Sequence, residues 1–149
     1  MSNVLIGIIG VILFIGLALA GALFLGPRFQ ESTNNSKASA QVAAMHQIAN
    51  AANMYQVNEG KQTLDINVLK SGGYLKSVPS DMSGANAYFI MVADGSVRHV
   101  LIGSQPKTIC QAFNRQVLGS AVIGTDFDYS KPALCYGDDA SGYFMALKV

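Results

Sequence analysis

The sequence predicts an α+β fold: a long N-terminal α-helix, apolar then amphipathic, packed on a small antiparallel β-sheet head with one disulfide. Three observations predict it. Val4 to Gly26 runs 23 residues without a charged or strongly polar side chain. From Ser36 to about Val57, apolar residues recur every three or four positions. Further on, two strand-like runs flank Asp94-Gly95, a strong short-range hairpin signal. The 149 residues suit one modest domain with an appendage. Only 13% of them are charged, against about 25% in a typical soluble domain, and the apolar run accounts for the deficit. The net charge is +1, and the ten Lys and Arg are scattered singly from Arg28 to Lys148. That pattern argues against a nucleic-acid-binding module, which needs a basic cluster.

At about 1.5 Å per residue, the apolar run spans roughly 35 Å as a helix, enough to cross a bilayer core. It is too long for a signal peptide, whose apolar region covers about 7 to 15 residues, and Met1-Ser2-Asn3 carries no basic side chain. The first basic residues, Arg28 and Lys37, follow the run, which by itself favours the C-terminal side inside. A chain that exports its C-terminal part needs basic residues ahead of the run. The expectation is therefore that a charged leader has been removed and that Met1 begins the mature form. Gly7, Gly10, Gly16, Gly21 and Gly26 punctuate the run. Each costs an exposed helix about 1 kcal/mol relative to Ala, but small residues let helices approach closely in apolar surroundings. Pro27 removes a backbone donor and disfavours helical geometry at Gly26, so Gly26-Pro27 is read as a kink or a locally unwound stretch. The helix-poor residues 30–36 favour unwinding; the other reading is a simple kink with the helix resuming at Arg28.

The second helical pattern places Ala38, Val42, Met45, Ile48, Ala49, Ala52 and Tyr55 on one face. Gln41, Gln47, Asn50 and Asn53 are assigned to the other, and Asn58 and Gly60 end the helix. A short helix is expected over Asp65–Ser71, capped by Thr63 and stopped by Gly72 and Gly73. Residues 74–79 form an extended connector. Ala87–Ala93 and Ser96–Ile102 read as strands, Pro106 to about Leu118 as a helix stopped by Gly119, and Val122-Ile123 as a short strand. Tyr143–Val149 closes the sheet. Cys110 and Cys135 stand in no CxxC pair and near no His at ligand spacing. In an exported domain they form one disulfide, worth roughly 3 to 4 kcal/mol by chain entropy. The alternative is two buried free thiols.

This order of elements resembles the type IV pilins. Leu64 to Pro79 is similar to the helix followed by "GYL…P" in the αβ-loop of pilins and pseudopilins. Lys107-Thr108-Ile109-Cys110 after a hairpin, with Cys135 ahead of a glycine-containing last strand, is similar to the cysteine-bounded C-terminal region of the type IVb class. A first residue other than Phe fits that class. The resemblance divides the chain into an apolar transmembrane and filament-core helix (1–26), its amphipathic continuation (27–57) and a globular head (58–149). The head comprises an αβ-loop (58–86), a hairpin (87–105) and a disulfide-bounded region (106–149). One departure stands out: the family's fifth mature residue is Glu, paired with a neighbour's N-terminal amine. This chain has Leu5, and its first acidic residue is Glu31. A buried amine without a partner is costly, so the resemblance implies either another partner for it or a divergent, minor subunit.

The resemblance implies a structural subunit, not an enzyme. It would be stored in the inner membrane as a single-pass protein and then polymerised with copies of itself into an extracellular helical filament by the pilus assembly machinery. Adhesion, aggregation, motility, DNA transfer or conjugation are the uses implied, with a host surface or DNA as outside partners. Met1, Val4, Leu5, Ile8, Ile9, Ile12, Leu13 and Phe14 are the implied assembly residues, and Met1 the implied N-methylation site. The other readings are a minor pilin or type II secretion pseudopilin, and a membrane-tethered periplasmic binding module.

No catalytic constellation, P-loop, GxGxxG or G-x-S-x-G pattern occurs. His46 and His99 lack a carboxylate or thiol at a meaningful spacing and read as surface or interface residues. Tyr88, Phe89, Phe113, Tyr143 and Phe144 read as core. Asp126, Asp128, Asp138 and Asp139 match no calcium-loop spacing and read as a solvated acidic surface. Asn34-Asn35-Ser36 fits the glycosylation sequon, a pattern that also arises by chance. No cofactor or metal is expected.

Overall fold

A computed structural model describes residues 2–79, 88–93 and 97–149. It has the expected α+β architecture, with a long N-terminal helix, a four-stranded antiparallel sheet and one disulfide. Two compact units divide the chain, Met1–Thr33 and Asn34–Val149. Residues 22–33 are all exposed, and burial along the helix begins at Ala38.

Helix α1 (Ser2–Glu59) is unbroken, with Pro27 inside it. The helix continues through Gly26-Pro27 and residues 30–36, without the unwinding that was one of the two readings of this stretch. Proline removes one hydrogen bond and strains one turn, a local penalty of about 3 kcal/mol that a helix of 58 residues survives. Two hydroxyls in and just after this stretch bond back along the helix. Thr33 Oγ1 donates to the Phe29 carbonyl at 2.9 Å and Ser39 Oγ to the Asn35 carbonyl at 3.0 Å. Gly60, at φ 65°, ends α1 in the left-handed region that glycine occupies without strain.

From Asn34 on, α1 belongs to the head. Ala38, Met45, Ile48, Ala49 and Ala52 are buried, as their spacing predicts. Gln41, assigned to the polar face, is instead buried beside Ala38 and Met45; its Nε2 donates to Gln105 Oε1, and Gln105 Nε2 donates to the Gly103 carbonyl at 3.0 Å. Helix α2 (Ile66–Ser71) starts one residue later than expected and is capped by Asp65, not Thr63. Asp65 Oδ1 accepts the Asn67 N–H at 2.8 Å, while Thr63 Oγ1 accepts the Asp65 N–H in the turn before.

Strands β1 (Tyr88–Ala93) and β2 (Val97–Gln105) pair antiparallel, from Tyr88 opposite Ile102 to Ala93 opposite Val97. Ala87 and the Asp94-Gly95 turn with Ser96 lie outside the described residues. Helix α3 (Lys107–Leu118) takes Pro106 as its N-cap residue and ends at Gly119, φ 71°. Strand β3 (Ala133–Asp138) is an element the sequence reading missed, and β4 (Gly142–Lys148) closes the sheet. The strand order is β1-β2-β4-β3, so the last strand is central. Val122-Ile123 is not a strand; Gly124 makes only a single parallel bridge to Tyr136. One sheet face joins the α1, α2 and α3 residues in a continuous core around Phe113, Val100, Ile102 and Met145. On the other face Leu101, Leu134 and Ala146 lie beneath Met91, Phe127 and Tyr136.

Candidate functional site

The residues implied in assembly occupy the first four turns of α1. Val4, Leu5, Ile8, Ile9, Ile12, Leu13 and Phe14 are each at least half exposed, Phe14 by 73%. Met1 lies outside the described residues. Soluble monomers seldom expose a contiguous apolar patch larger than a few hundred Å²; here every residue from 3 to 20 is exposed. By length and composition α1 is able to cross a membrane. A Cβ added at Gly7, Gly10, Gly16, Gly21 or Gly26 would meet nothing within 4 Å beyond its own helix.

Within the second unit, the disulfide joins Cys110 of α3 to Cys135 of β3, with Cα atoms 5.5 Å apart; no cysteine is free. Both residues are buried. One turn after Cys110, the side chain of Asn114 is buried against the same strand. Its Oδ1 accepts the Cys135 N–H at 2.6 Å, and its Nδ2 donates to the carbonyls of Cys135 at 3.0 Å and Val122 at 2.8 Å. Asn114 thus pairs with β3 as a further strand would. The sequence reading did not single out Asn114, because nothing near it in sequence marks the backbone groups it meets.

The acidic residues divide into local networks. Asp138 Oδ1 accepts the Ser141 hydroxyl and N–H at 2.6 Å each and the Ala140 N–H at 3.0 Å, which holds its carboxyl below the ordinary 3.8. Asp139 is likewise lowered, first by the Tyr143 hydroxyl and then by Lys107, 3.3 Å away. The Ser130 hydroxyl and N–H lower Asp128. Asp126, Asp128 and Lys131 line an open cleft of about 290 Å³ between α3, β3 and the loop joining them. Among the described residues no three His, Cys, Asp or Glu come together as a metal site.

His46 is exposed as expected, whereas His99 is buried, edge-on to the Phe127 ring at 5.0 Å, so its surface reading is corrected. The Phe127 loop covers that sheet face and takes the imidazole out of water. Of the five aromatics read as core, Tyr88, Phe113 and Tyr143 are buried and Phe144 partly so. Phe89 is 41% exposed, because alternation along β1 turns it to the sheet face away from the helical core. No family model, curated protein or solved structure matches this chain.

Proposed function

We propose that this chain is a non-enzymatic structural subunit of a type IV-like pilus, polymerising through the apolar first part of α1. The observation that carries this reading is a largely exposed apolar segment in the same helix that, from Ala38 on, builds the core of a disulfide-closed head. Lipid covers that segment before assembly, and sister subunits cover it afterwards. Moving it between the two exchanges one apolar environment for another. The exchange approaches neutrality if subunits pack closely, which glycines without an intramolecular neighbour permit. Arg28, Glu31 and Lys37 lie just beyond the segment, where ion pairs between subunits are worth about 0 to 1 kcal/mol each. The disulfide suits an exported, extracellular head.

Leu5, standing where the family has Glu, favours a second reading as a minor pilin or secretion pseudopilin. Abundance separates the two. Electron microscopy of material sheared from cells, with mass spectrometry of its subunits, should find filaments dominated by this chain. A trace amount within another subunit's filament supports the minor role; complete absence from all filaments contradicts both.

A further inference from the structure

We propose that Asn114 is a positioning residue for disulfide closure: it docks β3 on α3 independently of the sulfur bond and so sets how readily Cys110 and Cys135 find each other. The inference does not rest on the pilus reading. Cys110 and Asn114 are one turn apart on α3 and converge on a single residue of β3. Cys110 takes the side chain of Cys135; Asn114 takes its backbone N–H and carbonyl. The third bond, to the Val122 carbonyl, draws the following loop alongside β3. There the Gly124 carbonyl accepts the Gly137 N–H at 2.9 Å, extending the same alignment. Every polar atom of the Asn114 side chain therefore works on the register of Cys135, and the amide is buried where water does not compete.

Closure converts two thiols into one disulfide with loss of two protons and two electrons. A small disulfide oxidant such as glutathione disulfide accepts them and leaves as two thiols. One protein thiolate first attacks the oxidant, releasing one glutathione thiolate; the second then attacks the protein sulfur of the mixed disulfide and displaces the other glutathione thiolate, forming the Cys110–Cys135 bond. Only the second step needs the two cysteines together. An amide that holds β3 in register raises the effective concentration for that step. By linkage, the disulfide and the amide support the same docked state. A subunit held beside identical copies in a membrane also has intermolecular closure open to it, and the docked strand directs the thiols inward.

The test measures the effective concentration of the two thiols in the full-length chain, in lipid nanodiscs equilibrated against glutathione and glutathione disulfide. Acid quenching, alkylation and mass spectrometry give the readout. Three net hydrogen bonds, each worth roughly two- to tenfold in an equilibrium, predict a fall of at least tenfold for Asn114→Leu, with chain-to-chain disulfide dimers appearing. Asn114→Asp keeps an acceptor for the Cys135 N–H but lacks both donors, and should fall in between. The control is Leu69→Ala in the buried face of α2, which loosens the head in both redox states alike. A fall for Asn114→Leu at least tenfold larger than for Leu69→Ala supports the proposal; a smaller difference overturns it. If oxidised Asn114→Leu is unfolded by circular dichroism, Asn114 supports the whole head rather than this step, and the proposal likewise fails.

Discussion

Gly137 occupies a place in β3 that no side chain can share. Its φ is 123°, and a Cβ built there would lie 2.1 Å from the Gly142 carbonyl oxygen across the closing turn. Gly137→Ala combines left-handed strain with a backbone clash and should destabilise the head by about 3 kcal/mol or more, measurable by chemical denaturation. The next residue, Asp138, ties the same turn through Ser141 and Ala140. Its carboxyl, and those of Asp128 and Asp139, lie below the ordinary 3.8 in the folded head. A lowered folded value means that the stability is present above the unfolded value and lost as pH falls through the folded one. Melting temperature should therefore drop below about pH 4, and Asp138→Asn should flatten that drop; an unchanged pH profile would refute the assignment. Neither the turn at Gly137 nor the strand pairing by Asn114 was legible in the sequence. A glycine in a strand-like run and an asparagine in a helix carry no mark of the backbone groups they meet from distant segments.

Among the elements, α1 was the most legible, because a 3.6-residue period states which face is buried before any partner is known. Ile48 is fully buried on that face, so Ile48→Ala should cost about 2 to 5 kcal/mol. Asn50→Ala, on the exposed face, should stay within about 0.5 kcal/mol, and thermal melts of the two variants check the contrast. Gln41 broke the pattern because its burial depends on an amide from the end of β2, far away in sequence. The opposite limit is β3. Six residues behind Pro132, with a glycine and an aspartate among them, show no clean alternation, and pairing with β4 and docking on α3 decide their conformation. Pro27 misled in the other direction: local propensity spoke for a break, but the surrounding turns keep the helix continuous.

For the whole molecule, residues 3–20 and 22–33 are exposed, and on the proposed reading the apolar segment among them takes its cover from outside the chain. Composition and the length of the run point the same way, since a helix with an apolar surface all round belongs in a large core or in a membrane. What covers the segment in the proposed filament is the central claim. The direct measurement replaces residues 4–26 with an unrelated spanning segment of equal length and compares filament yield with membrane retention. The account predicts a chain that still resides in the membrane, with an intact disulfide, but forms no filaments. Filaments at the original yield would contradict it, because any anchor would then serve as well as this one.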